Sequence, residues 1–200
     1  MTVAAGRDGA VAGGARRWQV RDTGRGVLES EEHLTWTGPW PPAPALARVP
    51  ALLERLHFRS IERCSLGLLR CRRRGGRVEC RFLGRWPGLA FADGGTARRP
   101  DRVERRWTIA PGFLARPVAG ALAPAGHGTL ALGVERLAGG RLHAWARVEG
   151  FPARFLGPAP FGPAAFGRPW AWLGRLYAAV HSAAAFRCLR ELARSLGGDA

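Results

Sequence analysis

Lysine and asparagine are missing from this 200-residue chain, so all 31 of its basic side chains are arginine. Isoleucine occurs only at Ile61 and Ile109, and methionine and tyrosine occur once each. The scarce residues are those encoded by A/T-rich codons, whereas Ala, Gly, Pro and Arg are plentiful. A GC-rich genome accounts for that bias without any function. The net charge of +16 and pI near 11.7 are therefore not by themselves a nucleic-acid footprint, although arginine-rich surfaces do attract polyanions.

Further absences narrow the field. No uninterrupted apolar run reaches the roughly 18 residues that a spanning helix needs. Met1 to Gly14 carries Arg7 and Asp8 where a signal peptide would be apolar, so a cytoplasmic location is expected. Cys64, Cys71, Cys80 and Cys188 lack C-x-x-C spacing, which argues against a zinc ribbon or a thioredoxin-type site. In a reducing compartment they are expected as small core residues rather than disulfides. His33, His57, His127, His143 and His181 are dispersed, none at metal-ligand spacing from another His or Cys, so no metal site is expected. There is no G-x-S-x-G elbow, P-loop, H-E-x-x-H or dinucleotide fingerprint, and no catalytic residue or cofactor is assigned. Asp22, Thr23 and Gly24 spell the aspartic-protease tripeptide, but Arg21 and Arg25 flank it. A nearby guanidinium holds such a carboxyl ionised, and the simpler reading is a turn.

What is present indicates a folded chain. Hydrophobic content is 46%, with 8 Trp and 9 Phe, too apolar for disorder. Residues 1–16 read as a flexible Gly/Ala-rich tail and residues 17–197 as a single domain. Trp18 and Val20, then Leu34 and Trp36, alternate with polar neighbours as strands do, until Trp40, Pro41 and Pro42 stop the run. Leu46, Val49, Leu52, Leu53 and Leu56 have helical spacing over Ala45 to Phe58, with the firm part starting at Pro50.

Two hairpins follow. A two-residue loop at Gly75 and Gly76 sets Arg72 opposite Glu79, Leu69 opposite Phe82 and Cys71 opposite Cys80. Val78, Cys80 and Phe82 then face the core. Counting outward from the loop, Cys71 and Cys80 fall on a non-hydrogen-bonded site, where side chains approach most closely. Adjacent thiols are expected there, joined only under oxidation. A three-residue loop at Ala138 to Gly140 puts Leu130, Leu132 and Val134 on one face with Ala144, Ala146 and Val148. A two-residue loop would mix faces, so face matching selects the longer one. Val103, Trp107 and Ile109 mark a strand between the hairpins, and residues 85–91 and 112–118 are further strand candidates. Residues 150–169 are a Gly/Pro/Phe-rich connection, long enough to be expected to cover something. Trp170 to Leu196 is a long helix with an apolar stripe of Tyr177, Val180, Ala184 and Cys188. Its wet face carries Arg187, Arg190, Glu191 and Arg194, and Gly197 and Gly198 end it.

Strand, helix, a run of strands, then one long helix resembles the helix-grip scaffold of the START and polyketide-cyclase-like superfamily. The resemblance spans about residues 17–197 and rests on element order, not on a diagnostic motif. It implies an α+β fold in which a curved antiparallel sheet wraps the C-terminal helix around an apolar cavity. The expected function is binding a hydrophobic small molecule or lipid. Leu132, Val134, Ala144, Ala146 and Val148 would form one wall and Tyr177, Val180, His181 and Ala184 the other. Phe155, Phe161 and Phe166 would form the lid. The simpler reading of His181 is a packed histidine at the helix–sheet boundary. Two alternatives stand beside this. Arg70, Arg72, Arg73, Arg74, Arg77 and Arg81 crowd one turn and would suit nucleic acid or an acidic membrane surface. A cyclase-type or hydrolytic enzyme would use the same pocket.

Overall fold

The structure is a computed structural model that describes residues 21–22, 27–111, 128–152 and 167–197. Among the described residues, eight antiparallel strands form one sheet, on which two helices pack. In chain order the elements are β1 (Arg21–Asp22), β2 (Val27–Thr37), α1 (Ala43–Leu46), α2 (Val49–Cys64), β3 (Leu69–Arg74), β4 (Arg77–Phe82), β5 (Trp86–Arg99), β6 (Arg102–Pro111), β7 (Gly128–Arg136), β8 (Arg141–Pro152) and α3 (Gly167–Ser195). Neighbours across the sheet run β1-β2-β8-β7-β6-β5-β4-β3. The first strands therefore pair with the last, and the curved α+β sheet with a C-terminal helix is as the element order implied.

The core lies on one face of the sheet. Leu34 and Trp36 of β2, Val78 and Cys80 of β4, Phe91 of β5 and Val103, Trp107 and Ile109 of β6 are all buried there. Leu53, Leu56, Phe58 and Ile61 of α2 and Ala184, Cys188, Leu189 and Leu192 of α3 cover them. On α3 the residues between these, Arg187, Arg190 and Arg194, stay exposed, as the helical stripe requires. Gly197 closes the helix in the left-handed region, φ 83°.

Both hairpin registers hold. Leu69 pairs with Phe82, Cys71 with Cys80 and Arg72 with Glu79; Leu130 pairs with Val148, Leu132 with Ala146 and Val134 with Ala144. Three expectations change. α2 runs six residues past Phe58, to Cys64, because Ile61 extends its apolar stripe and is buried. β5 reaches Arg99 instead of ending near residue 91, with a register shift between Asp93 and Thr96. Cys71 and Cys80 are joined as a disulfide, Cα atoms 3.9 Å apart, whereas Cys64 and Cys188 are free. The strand candidate at 112–118, Trp18, Val20 and His127 lie outside the described residues.

The edge strand β3 is capped by α2. Glu62 Oε1 accepts from the Cys71 backbone N–H at 2.7 Å, and Ser65 Oγ accepts from that of Leu69 at 3.1 Å. Edge groups that would otherwise pair with another chain are thereby occupied. The contact also shows that the Cys71 N–H points away from β4, as a non-hydrogen-bonded site demands.

Candidate ligand site between the helices and the sheet

The described residues of the expected pocket wall are largely buried. Leu132, Val134, Ala144 and Ala184 have no solvent-accessible surface, and Ala146, Val148 and His181 are buried with them. No water-sized space touches the first four. Val180 is half-buried, Tyr177 lies on α3 one turn before His181, and Phe155, Phe161 and Phe166 fall outside the described residues. Among the described residues, one open space lies elsewhere. A groove of about 290 Å³ runs between α2 and the β3–β4 hairpin, lined by Ala51, Glu54, Arg55, Phe58, Arg73 and Val78.

Alternation along the strands builds that groove. Val78 faces the helices, so Arg73, its partner on β3, faces them as well. Helical spacing brings Ala51, Glu54, Arg55 and Phe58 to the same side of α2. Glu54 sits between two cations: Arg73 at 3.0 Å and Arg105 at 3.2 Å. Arg105 is the charged side chain that β6 turns inward, opposite Leu132. It also donates to both carboxylate oxygens of Asp93, at 2.7 and 2.9 Å. The Gly95 backbone N–H first, and Arg105 second, hold the Asp93 carboxyl below its ordinary range. Arg55 makes no ion pair among the described residues and is exposed at the rim.

Behind the groove lies a polar cluster that sequence spacing did not reveal. Phe58 meets His57 edge-on at 5.4 Å between ring centroids, and His57 meets His181 edge-on at 5.1 Å. His57 is fully buried, and neither of its ring nitrogens has a hydrogen-bond partner among the described residues. Ser60 Oγ and Trp36 Nε1 are in the same position. Burial pushes His57 well below the ordinary histidine range and His181 down to about 4, so both imidazoles are neutral at physiological pH. Close by, Ser182 Oγ donates to the buried Glu32 carboxylate from α3 to β2. The four described histidines meet in pairs: His57 and His181 here, and His33 and His143 on the opposite face, Nδ1 to Nε2 at 3.0 Å.

The arginines divide by the same alternation. Arg70, Arg72, Arg74, Arg77 and Arg81 share the face away from the helices, whereas Arg73 stands in the groove. Within that face Glu79 takes Arg81 at 3.0 Å and Arg77 at 3.5 Å. Nearer the sheet centre, Glu104 is buried between Arg102 and Arg106, and Arg102 lies 4.4 Å over the Trp145 ring.

Among the described residues, no helix is long and apolar enough to cross a membrane. No protein-family model and no curated protein matches the sequence. Solved structures do resemble the fold. A hypothetical protein from Helicobacter pylori is 12% identical at TM-score 0.37, covering 82% of this chain and 90% of its own. A conserved protein from Geobacillus kaustophilus is 11% identical at TM-score 0.37, over 84% and 97%. An HSP90 activator from Plasmodium falciparum is 8% identical at TM-score 0.33, over 76% and 95%. These likenesses assign no function. The site's own chemistry has to carry one.

Proposed function

We propose that this chain is a helix-grip protein of the START-like kind that binds a hydrophobic small molecule or lipid with an acidic head. The ligand lies along α2, its apolar part on Phe58, Val78 and Ala51 and its head at Arg55. One observation supports this above the others: His57, buried and without a hydrogen-bond partner among the described residues, directly behind Phe58. An unsatisfied buried polar group costs about 1–3 kcal/mol, a cost that a ligand oxygen reaching past Phe58 would remove. The groove volume of about 290 Å³ is at the small end for ligand pockets, so entry involves a swing of Phe58.

Titration with a dansyl-labelled fatty acid tests the reading. Ala51 is exposed, so Ala51→Trp fills the groove without disturbing the core. Binding is expected to fall by about tenfold or more in Ala51→Trp and in Arg55→Ala, which lose contact area and the charge pair respectively. His57→Leu is expected to bind weakly yet fold more stably. Probe binding unchanged in Ala51→Trp would overturn the assignment.

Nucleic acid is the second reading, favoured by five arginines on one face. If it holds, log K falls against log salt by about 0.9 per phosphate contacted. Replacing Arg72, Arg74 and Arg77 together shrinks that slope by about two to three units. An unchanged slope removes this face as the site.

A further inference from the structure

Two leucines adopt left-handed backbone, Leu66 at φ 54° and Leu83 at φ 50°. Glycine occupies that region freely and leucine does not, because its Cβ crowds the neighbouring carbonyl. Each stands before a left-handed glycine, Gly67 and Gly84. The first pair turns the chain from α2 into β3 and the second from β4 into β5. The two turns lie side by side, with the Leu83 N–H donating to the Leu68 carbonyl at 2.7 Å.

These turns hold the exposed large hydrophobic side chains of the described residues: Leu66 at 91% exposure, Leu83 at 56% and Leu68 at 44%. Isolated exposed leucines are ordinary, but three gathered at one end of a sheet, two of them in an unfavourable backbone, are not. Cations surround them. The Arg70 side chain passes between the turns, 3.8 Å from where a Cβ would stand on Gly67 and on Gly84. Arg85 follows Gly84, and neither arginine has a carboxylate partner among the described residues.

We propose that this leucine tip docks the protein on an anionic lipid bilayer. Leu66, Leu68 and Leu83 enter the headgroup region while Arg70 and Arg85 pair with lipid phosphates. Charge selects this occupant over a second copy of the chain, since an isologous contact would bring the unpaired arginines together. Area argues the same way: three side chains fall far short of the roughly 1,000 Å² of a stable protein interface. The tip is separate from the groove and does not depend on what the groove binds.

The test must separate insertion from the general attraction of a +16 chain for negative surfaces. Leu66→Gly with Leu83→Gly leaves the charge untouched and puts glycine where glycine belongs. This double variant is expected to melt at or above the temperature of the unmodified protein. Co-sedimentation is measured with phosphatidylcholine vesicles with and without phosphatidylserine, at low salt and at about 0.5 M, where exposed charges are largely screened. The unmodified protein should retain binding to phosphatidylserine vesicles at high salt, and the double variant should lose about tenfold or more of it. Arg70→Gln with Arg85→Gln should reduce the preference for phosphatidylserine. Equal binding by the leucine variant and the unmodified protein would overturn the proposal. So would the absence of salt-resistant binding, or a dimer in gel filtration that the leucine variant dissolves.

Discussion

His57 and His181 tie stability to pH. Burial lowers the folded-state value of His181 from 6.5 to about 4 and drives that of His57 in the same direction. Between those pH values the unfolded chain binds protons that the folded protein refuses, so acid favours unfolding. The stabilisation is complete above pH 6.5 and is lost as pH falls toward 4; for His181 alone it amounts to at most about 3 kcal/mol. Glu31, Asp93 and Glu104, held below their ordinary carboxyl values, lose their contribution only at lower pH. Urea unfolding across pH 4 to 7 should therefore show a slope in the histidine window, and His57→Leu should flatten it. A profile unaltered by that change would mean that His57 is accessible to protons. Gly133 makes a second argument at this scale. A Cβ there would stand 2.1 Å from the Trp145 ring, which cannot yield as a flexible side-chain end does. Gly133→Ala should destabilise by about 1–3 kcal/mol, seen as a lower melting temperature.

Among the elements, legibility followed alternation. The β3–β4 and β7–β8 hairpins were readable because a one-residue slip would have turned Val78 and Cys80, or Leu132 and Val134, into water. β5 was not readable past Phe91. Ala92, Asp93, Gly94, Gly95, Thr96 and Ala97 show no apolar alternation, and the register shift at the glycines breaks what period there is. Backbone pairing with β6 keeps that stretch extended, and an isolated sequence does not display pairing. α2 is longer than its sequence displays for the opposite reason: Arg59, Ser60 and Arg63 obscure Ile61, which continues the stripe. The β3–β4 hairpin also carries a prediction. Its disulfide closes a loop of sequence separation 9, and for a loop that short reduction should cost about 2–3 kcal/mol. Unfolding with and without reductant measures this. Since Glu62 and Ser65 still hold β3, the reduced protein should remain folded.

At the scale of the whole molecule, small residues decide how the sheet receives its helix. Ala144 and Ala146 on β8 and Ala184 and Ala185 on α3 are all buried in one cluster. Read from sequence, alanines on both walls leave room for a ligand; buried together in the fold, they equally let helix and sheet approach closely. Such an ambiguity is intrinsic, because residue size fixes the sum of gap and approach and not either alone. The pair His57–His181 is hidden for a related reason: its members come from two helices that meet only where both pack on the same sheet. Ala146→Trp distinguishes the two outcomes of alanine. Ala146 stands between Glu32 on β2 and Leu132 on β7, facing the helices. A packed interior should lose about 1–3 kcal/mol or more to the added indole. A latent cavity there would accept the ring at little cost. Urea unfolding of this variant should show the loss, while dansyl fatty-acid binding by whatever fraction remains folded should persist, because the groove lies on the far side of Phe58. Undiminished stability together with abolished binding would instead place the ligand between β8 and α3.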